Sequence, residues 1–138
     1  MKDYSEILQS NLAGYHGPHS DVILLAPELF RLMCRLLNDQ RLPPRLKPLV
    51  NAAIAYFVAP FDPIPEEVYG PEGYLDDVWL SCHIARRIAS ELKSMDLLVQ
   101  NWRGETAIEQ VLVDVLDLNH RALEEKKPAI LKYVGLTG

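Results

Sequence analysis

Cysteine is scarce in this chain: Cys34 and Cys82 are the only two among 138 residues. That excludes a multi-bridge disulfide scaffold. Neither belongs to a close Cys or His pair of the kind zinc requires. Both fall within apolar helical runs and read as small core hydrophobes of a cytoplasmic protein. Long apolar runs are missing too. The most apolar stretch, residues 52–61, is too short to cross a bilayer and contains Pro60. The first residues are polar and lack the apolar centre of a signal peptide. A basic surplus is also absent. The net charge of −5 disfavours a nucleic-acid partner and offers no polybasic patch to anionic lipid. No Walker-type phosphate loop, Gly-x-Gly-x-x-Gly run, Gly-x-Ser-x-Gly elbow or His-Asp doublet occurs. Nor is there the regular alternation that marks a strand.

What remains is an ordinary globular composition, 49% hydrophobic and 24% charged, in a length that suits one domain spanning residues 1–138. Periodicity predicts helices over residues 5–12, 27–38, 46–58 and 75–95. A fifth is built on Ile108, Val111, Leu112, Val115, Leu118 and Ala122, and a last short one runs over 128–134, closed by Gly135. In the second helix Glu28, Arg31, Arg35 and Asn38 share a polar face, while Leu29, Leu32, Met33 and Leu36 point inward. The third is apolar nearly all round, the pattern of a buried central helix. Thr106 and Glu109 have the spacing of a capping box. The expected fold is an all-α compact bundle of five to six helices, with a Pro/Gly-rich acidic loop before the fourth.

That loop is where charge becomes uneven. Residues 48–85 contain no Lys or Arg and six carboxylates: Asp62, Glu66, Glu67, Glu72, Asp76 and Asp77. Residues 60–73 hold four prolines and two glycines, so neither helix nor strand is expected there. Three roles are open to the acids. They can cap helix N-termini, where backbone N–H groups and the macrodipole favour negative charge. They can pair with arginines such as Arg45, Arg86 or Arg87. Or Asp62, Asp76 and Asp77 can hold a hard divalent cation, magnesium or calcium. Capping together with an Arg86 or Arg87 partner is the expectation for Asp76 and Asp77, which open the fourth helix. The three aspartates are expected to converge as the chain returns beside the third helix. Leu80 and Ser81, not a third acid, follow at helical spacing, which argues against a prenyl-diphosphate type of magnesium site.

The segment YFVAPFDPIPEEVYGPEGYLDDVWL resembles the signature of the YkvA-like family, domain of unknown function 1232. The matching positions are Tyr56, Pro60, Asp62, Ile64, Pro65, Gly73, Tyr74, Asp76 and Asp77. The resemblance extends over roughly residues 27–90. Glu66 stands where the family usually has Asp, and the interval from Pro65 to Gly73 is one residue longer. The resemblance implies a helical domain without an established activity, and a membrane-proximal setting in some relatives.

Other polar residues have simpler readings. His16 and His19 flank a Gly-Pro turn without a third ligand. His83 falls on the fourth helix, either on its polar face or toward the acids. Trp79 and Trp102 read as core or interface residues. The functional expectation is a non-enzymatic module that binds a protein partner or a second copy of itself, with Tyr56, Asp62, Glu66, Tyr74, Asp76 and Asp77 as candidate ligand-binding residues. The alternatives are a cation-dependent enzyme or cation-binding protein using residues 62–77, and a peripheral membrane adaptor.

Overall fold

Leu29, Leu32, Met33 and Leu36 are all removed from solvent, as their helical spacing requires. The computed structural model describes residues 6, 9, 10, 20–58, 74–118, 121–133 and 135. The helices are α1 (Ser20–Ile23), α2 (Ala26–Asn38), α3 (Lys47–Val58), α4 (Leu75–Leu92), α5 (Asp96–Asn101), α6 (Ile108–Leu116) and α7 (Arg121–Tyr133), with a 3-10 turn, Pro44–Leu46, leading into α3. No strand occurs among the described residues, and the fold is an all-α bundle. Residues 6, 9 and 10 are helical. His16 and His19 lie outside the described residues.

Pro27 sits in the first turn of α2, where its missing N–H costs no hydrogen bond. The short connection after Asn38 makes α3 an antiparallel neighbour of α2. Phe30 and Phe57 meet edge to face between them, ring centroids 5.3 Å apart at 84°, an arrangement worth roughly 0.5–1.5 kcal/mol beyond the area it buries.

The central helix is α4 rather than α3. It packs on α1, α2, α3, α5, α6 and α7, and every residue from 75 to 82 is buried. In contrast, Asn51 and Ala55 of α3 are exposed, and Val58 is 52% exposed. Hydrophobic stabilisation scales with the apolar area removed from water. A face of small alanines gains less from the centre than the Leu75, Val78, Trp79, Leu80 and Ile84 side chains of α4.

Several boundaries differ from the sequence expectation for local reasons. The fourth helix stops at Leu92 because Lys93 turns left-handed (φ 54°), a conformation the sequence does not announce with Gly or Asn. Ser94 Oγ then accepts the Asp96 N–H at 3.0 Å and starts α5. The Thr106–Glu109 capping box does not form. Ala107 occupies the cap of α6 without a side-chain bond, and the Thr106 carbonyl accepts the Trp102 indole N–H at 2.7 Å. The fifth predicted helix ends at Leu116, and Ala122 belongs to α7, which begins at Arg121 and carries Pro128 in its interior instead of at its start. Beyond α7, the Gly135 N–H donates to the Lys132 carbonyl at 3.1 Å with φ 83°, the expected glycine stop.

Trp102 is 8% exposed and leans on Gly104. A Cβ at Gly104 would come within 2.6 Å of Trp102 Cε2, well inside van der Waals contact. Gly104→Ala should therefore displace the indole from its bond to Thr106 and destabilise the fold by about 1–3 kcal/mol. Denaturant melts followed by tryptophan fluorescence measure this, and an unchanged midpoint would refute the packing role.

Candidate functional site

Asp76 and Asp77 enter the structure as first-turn residues of α4, next to unsatisfied backbone N–H groups and the positive end of the helix dipole. Tyr74 is the cap residue, in helical backbone and without a side-chain cap bond. Neither acid is at the surface: Asp76 is 0% and Asp77 1% exposed. Tyr56, fully buried near the end of α3, donates its hydroxyl to Asp76 Oδ2 at 3.1 Å. A carboxylate taken out of water needs hydrogen-bond partners, because desolvation without them costs far more than a single contact returns. The phenol supplies one, and in doing so ties α3 to α4. Ser81, one turn after Asp77, is also buried, so three polar side chains of α4 sit in its most enclosed stretch.

Four of the sequence-predicted residues, Tyr56, Tyr74, Asp76 and Asp77, are thus placed at the junction of α3 and α4, all buried. Asp62 and Glu66 lie outside the described residues, and with them the expected convergence of three aspartates. Among the described residues no three metal-ligating side chains come together. The arginine partners expected for the acids are placed elsewhere. Arg86 lies more than two turns along α4 from Asp77, about 13 Å of axial rise. Arg87 pairs with Glu91 at 3.3 Å. His83 contacts an aromatic neighbour on its own helix. Its ring stacks on Trp79 at 5.0 Å and 24°, with the Lys127 ammonium 5.3 Å from the Trp79 ring. Burial, then the charges of Arg86, Arg87 and Lys127, hold its pKa below the usual 6.5.

A second polar site was not foreseen as a unit. Where α2 ends and α5 ends, an open groove of about 740 Å³ is lined by Arg35, Asn38, Asp39, Arg41, Asn101 and Arg103. Asp39 is its only carboxylate among the described lining. It accepts from Arg41 Nε at 3.0 Å and Nη2 at 2.6 Å, and from Asn101 Nδ2 at 3.0 Å. These bonds hold its pKa well below the carboxylate range, the Arg41 side chain first and Asn101 next. The only hint in sequence was the polar face of α2 carrying Arg35 and Asn38. The partners from residues 101–103 join it only through the fold. Half-buried Cys34 also lines the groove, whereas Cys82 is fully buried and burial pushes its thiol pKa up. Neither Cys34 nor Cys82 forms a disulfide.

Comparison with known sequences bears on the first site. Residues 47–80, which comprise α3, the acidic connection and the first turns of α4, match the family described as a protein of unknown function, DUF1232. A relative in Methanothermobacter thermautotrophicus, the uncharacterized protein ORF9, is 32% identical over 130 residues, covering 94% of this chain and 88% of the relative. The chain belongs to the DUF1232 family. No solved structure matches it significantly. The DUF1232 match contains Tyr56, Tyr74, Asp76 and Asp77 and stops short of every described residue of the groove. The family segment therefore coincides with the buried junction, and the groove is built from the flanks.

Removing the phenol should expose how much the junction depends on it. Tyr56→Phe keeps the ring and deletes one donor to a buried carboxylate, so the fold should lose about 1–3 kcal/mol with little change in denaturant m-value. A loss below the error of the melt would refute the bond's role. His83 makes a separate prediction. Its folded pKa lies below 6.5, so as pH falls through about 6.5 the unfolded chain takes up the proton first and stability falls. His83→Gln should flatten that part of the stability–pH curve measured by denaturant melts. An identical curve would refute the coupling.

Proposed function

We propose that this chain is a non-enzymatic binding module of the cytoplasm, acting on a protein partner or a second copy of itself, in which the DUF1232 acids are structural. The observation that carries the reading is the burial of Asp76 and Asp77 with Asp76 tied to Tyr56. A catalytic or metal-dependent acid pair has to meet substrate, and productive sites leave an open position for it. Here the pair sits in the most enclosed stretch of α4. The groove that does open to solvent is lined mainly by guanidinium and amide groups, and its one described carboxylate, Asp39, is taken up by Arg41 and Asn101. No helix among the described residues is long and apolar enough to cross a membrane.

Thermal melts after chelation, with and without magnesium or calcium, test the reading against the cation-dependent alternative. Wild type, Asp76→Asn and Asp77→Asn are compared. The expected result is a lower melting temperature for both variants and the same melt for each protein with and without metal. A metal-dependent rise in the wild type that both variants lack would overturn the proposal, since a ligand bound to the native state stabilises by mass action.

A further inference from the structure

The groove between the ends of α2 and α5 concentrates positive charge in a chain whose net charge is −5. Arg35, on the last turn of α2, reaches across to the Asn101 carbonyl with Nη1 at 3.2 Å. Arg103 Nη1 turns back to the Gln100 carbonyl at 2.8 Å and the Trp102 carbonyl at 3.4 Å. Arg41 is fully engaged, with Asp39 on one side and the Gln100 side-chain carbonyl on the other. A guanidinium has five N–H donors in a planar fork. The bonds of Arg35 and Arg103 occupy one nitrogen of each, which orients the plane while leaving the other donors available. No described carboxylate forms an ion pair with either one.

The charge balance then decides what the groove attracts. Arg41 and Asp39 cancel. The carbonyl ends of α2 and α5 contribute at most about half a negative charge each. Two guanidinium groups against that leave a net of about one positive charge in the groove. A carboxylate has two oxygens and one charge. A phosphate monoester has three terminal oxygens and carries close to two charges at neutral pH, so it can accept from two forks at once. At about 740 Å³ the groove is far larger than the ion alone and falls in the range that holds small organic ligands.

The geometry points to a phosphate-binding site for a phosphorylated small molecule, held between Arg35 and Arg103 in the groove at the ends of α2 and α5. Arg41 and Asp39 are its frame: their mutual bonds hold Asp39 on Arg41 and keep it from repelling the ligand. Because none of these residues belongs to the DUF1232 match, the site stands or falls independently of the role given to Asp76 and Asp77.

A titration of the isotope-labelled full chain with inorganic phosphate and with phenyl phosphate, at constant ionic strength held with chloride, tests this by nuclear magnetic resonance. Saturable shifts of the Arg35 and Arg103 Nε–H signals and of the backbone amides of residues 100–104 are expected, with phenyl phosphate binding more tightly than inorganic phosphate. Arg103→Gln removes one exposed fork and should weaken binding about tenfold. Arg103→Lys, which keeps the charge and loses the fork, should fall between the two. Acetate at the same concentrations should bind more weakly than phosphate. Shifts that do not saturate, that chloride reproduces, or that persist unchanged in a folded Arg103→Gln protein would overturn the proposal, as would acetate binding as well as phosphate.

Discussion

Two carboxylates adjacent in sequence are buried in the first turn of α4, the helix against which the six other numbered helices pack. That placement constrains the rest. Burying Asp76 and Asp77 is tolerable only if partners are delivered to them, and the described partner of Asp76, the Tyr56 hydroxyl, comes from the far end of α3. For the phenol to arrive, the last turn of α3 must lie beside the first turn of α4. The position of α3 in turn fixes α2, through the Phe30–Phe57 contact and the short connection between them. A purely apolar junction of the same shape would be compatible with small slips of α3 along α4. A single donor–acceptor pair is not, because a shift of one turn, about 5.4 Å, leaves a buried acid without its donor. The polar pair selects the register that the apolar contacts only favour.

Much of the fold was legible because helical periodicity is strong wherever a helix has one wet side. The inward set Leu29, Leu32, Met33 and Leu36 appears as read. Legibility failed where the chain departs from its own signals. Lys93 adopts a left-handed conformation without being Gly or Asn, Thr106 looks like a cap but gives its carbonyl to Trp102, and Pro128 lies inside α7 where its type suggests a start. The choice of α3 as the central helix failed for another reason. Apolar composition reports what can be buried, and side-chain size helps decide which of two such helices gains more from burial.

The two sites differ in the same way. The junction was visible because its residues cluster in sequence, and their burial is what sequence could not show: acids in a first turn are ordinarily wet. The groove was invisible because it joins residues 35–41 to residues 101–103, and no local pattern links arginines so far apart. Only the polar stripe on α2 pointed toward it.

The hydrogen bonds across the groove span 59 to 66 residues of chain. Closing a loop of that length costs the unfolded chain roughly 3–4 kcal/mol of entropy, whereas a partly exposed side-chain bond returns only about 0.5–1.5 kcal/mol. Such bonds do not bring the two segments together. The packing of α4 on both flanks does, and the arginines fasten ends already held close. Their geometry therefore reports on the assembled bundle as a whole, and the groove exists only while the α2 end and the α5 end are docked. Any unfolding event that frees α5 dissolves it, so the groove belongs to the cooperative unit of the protein rather than to the surface of one helix.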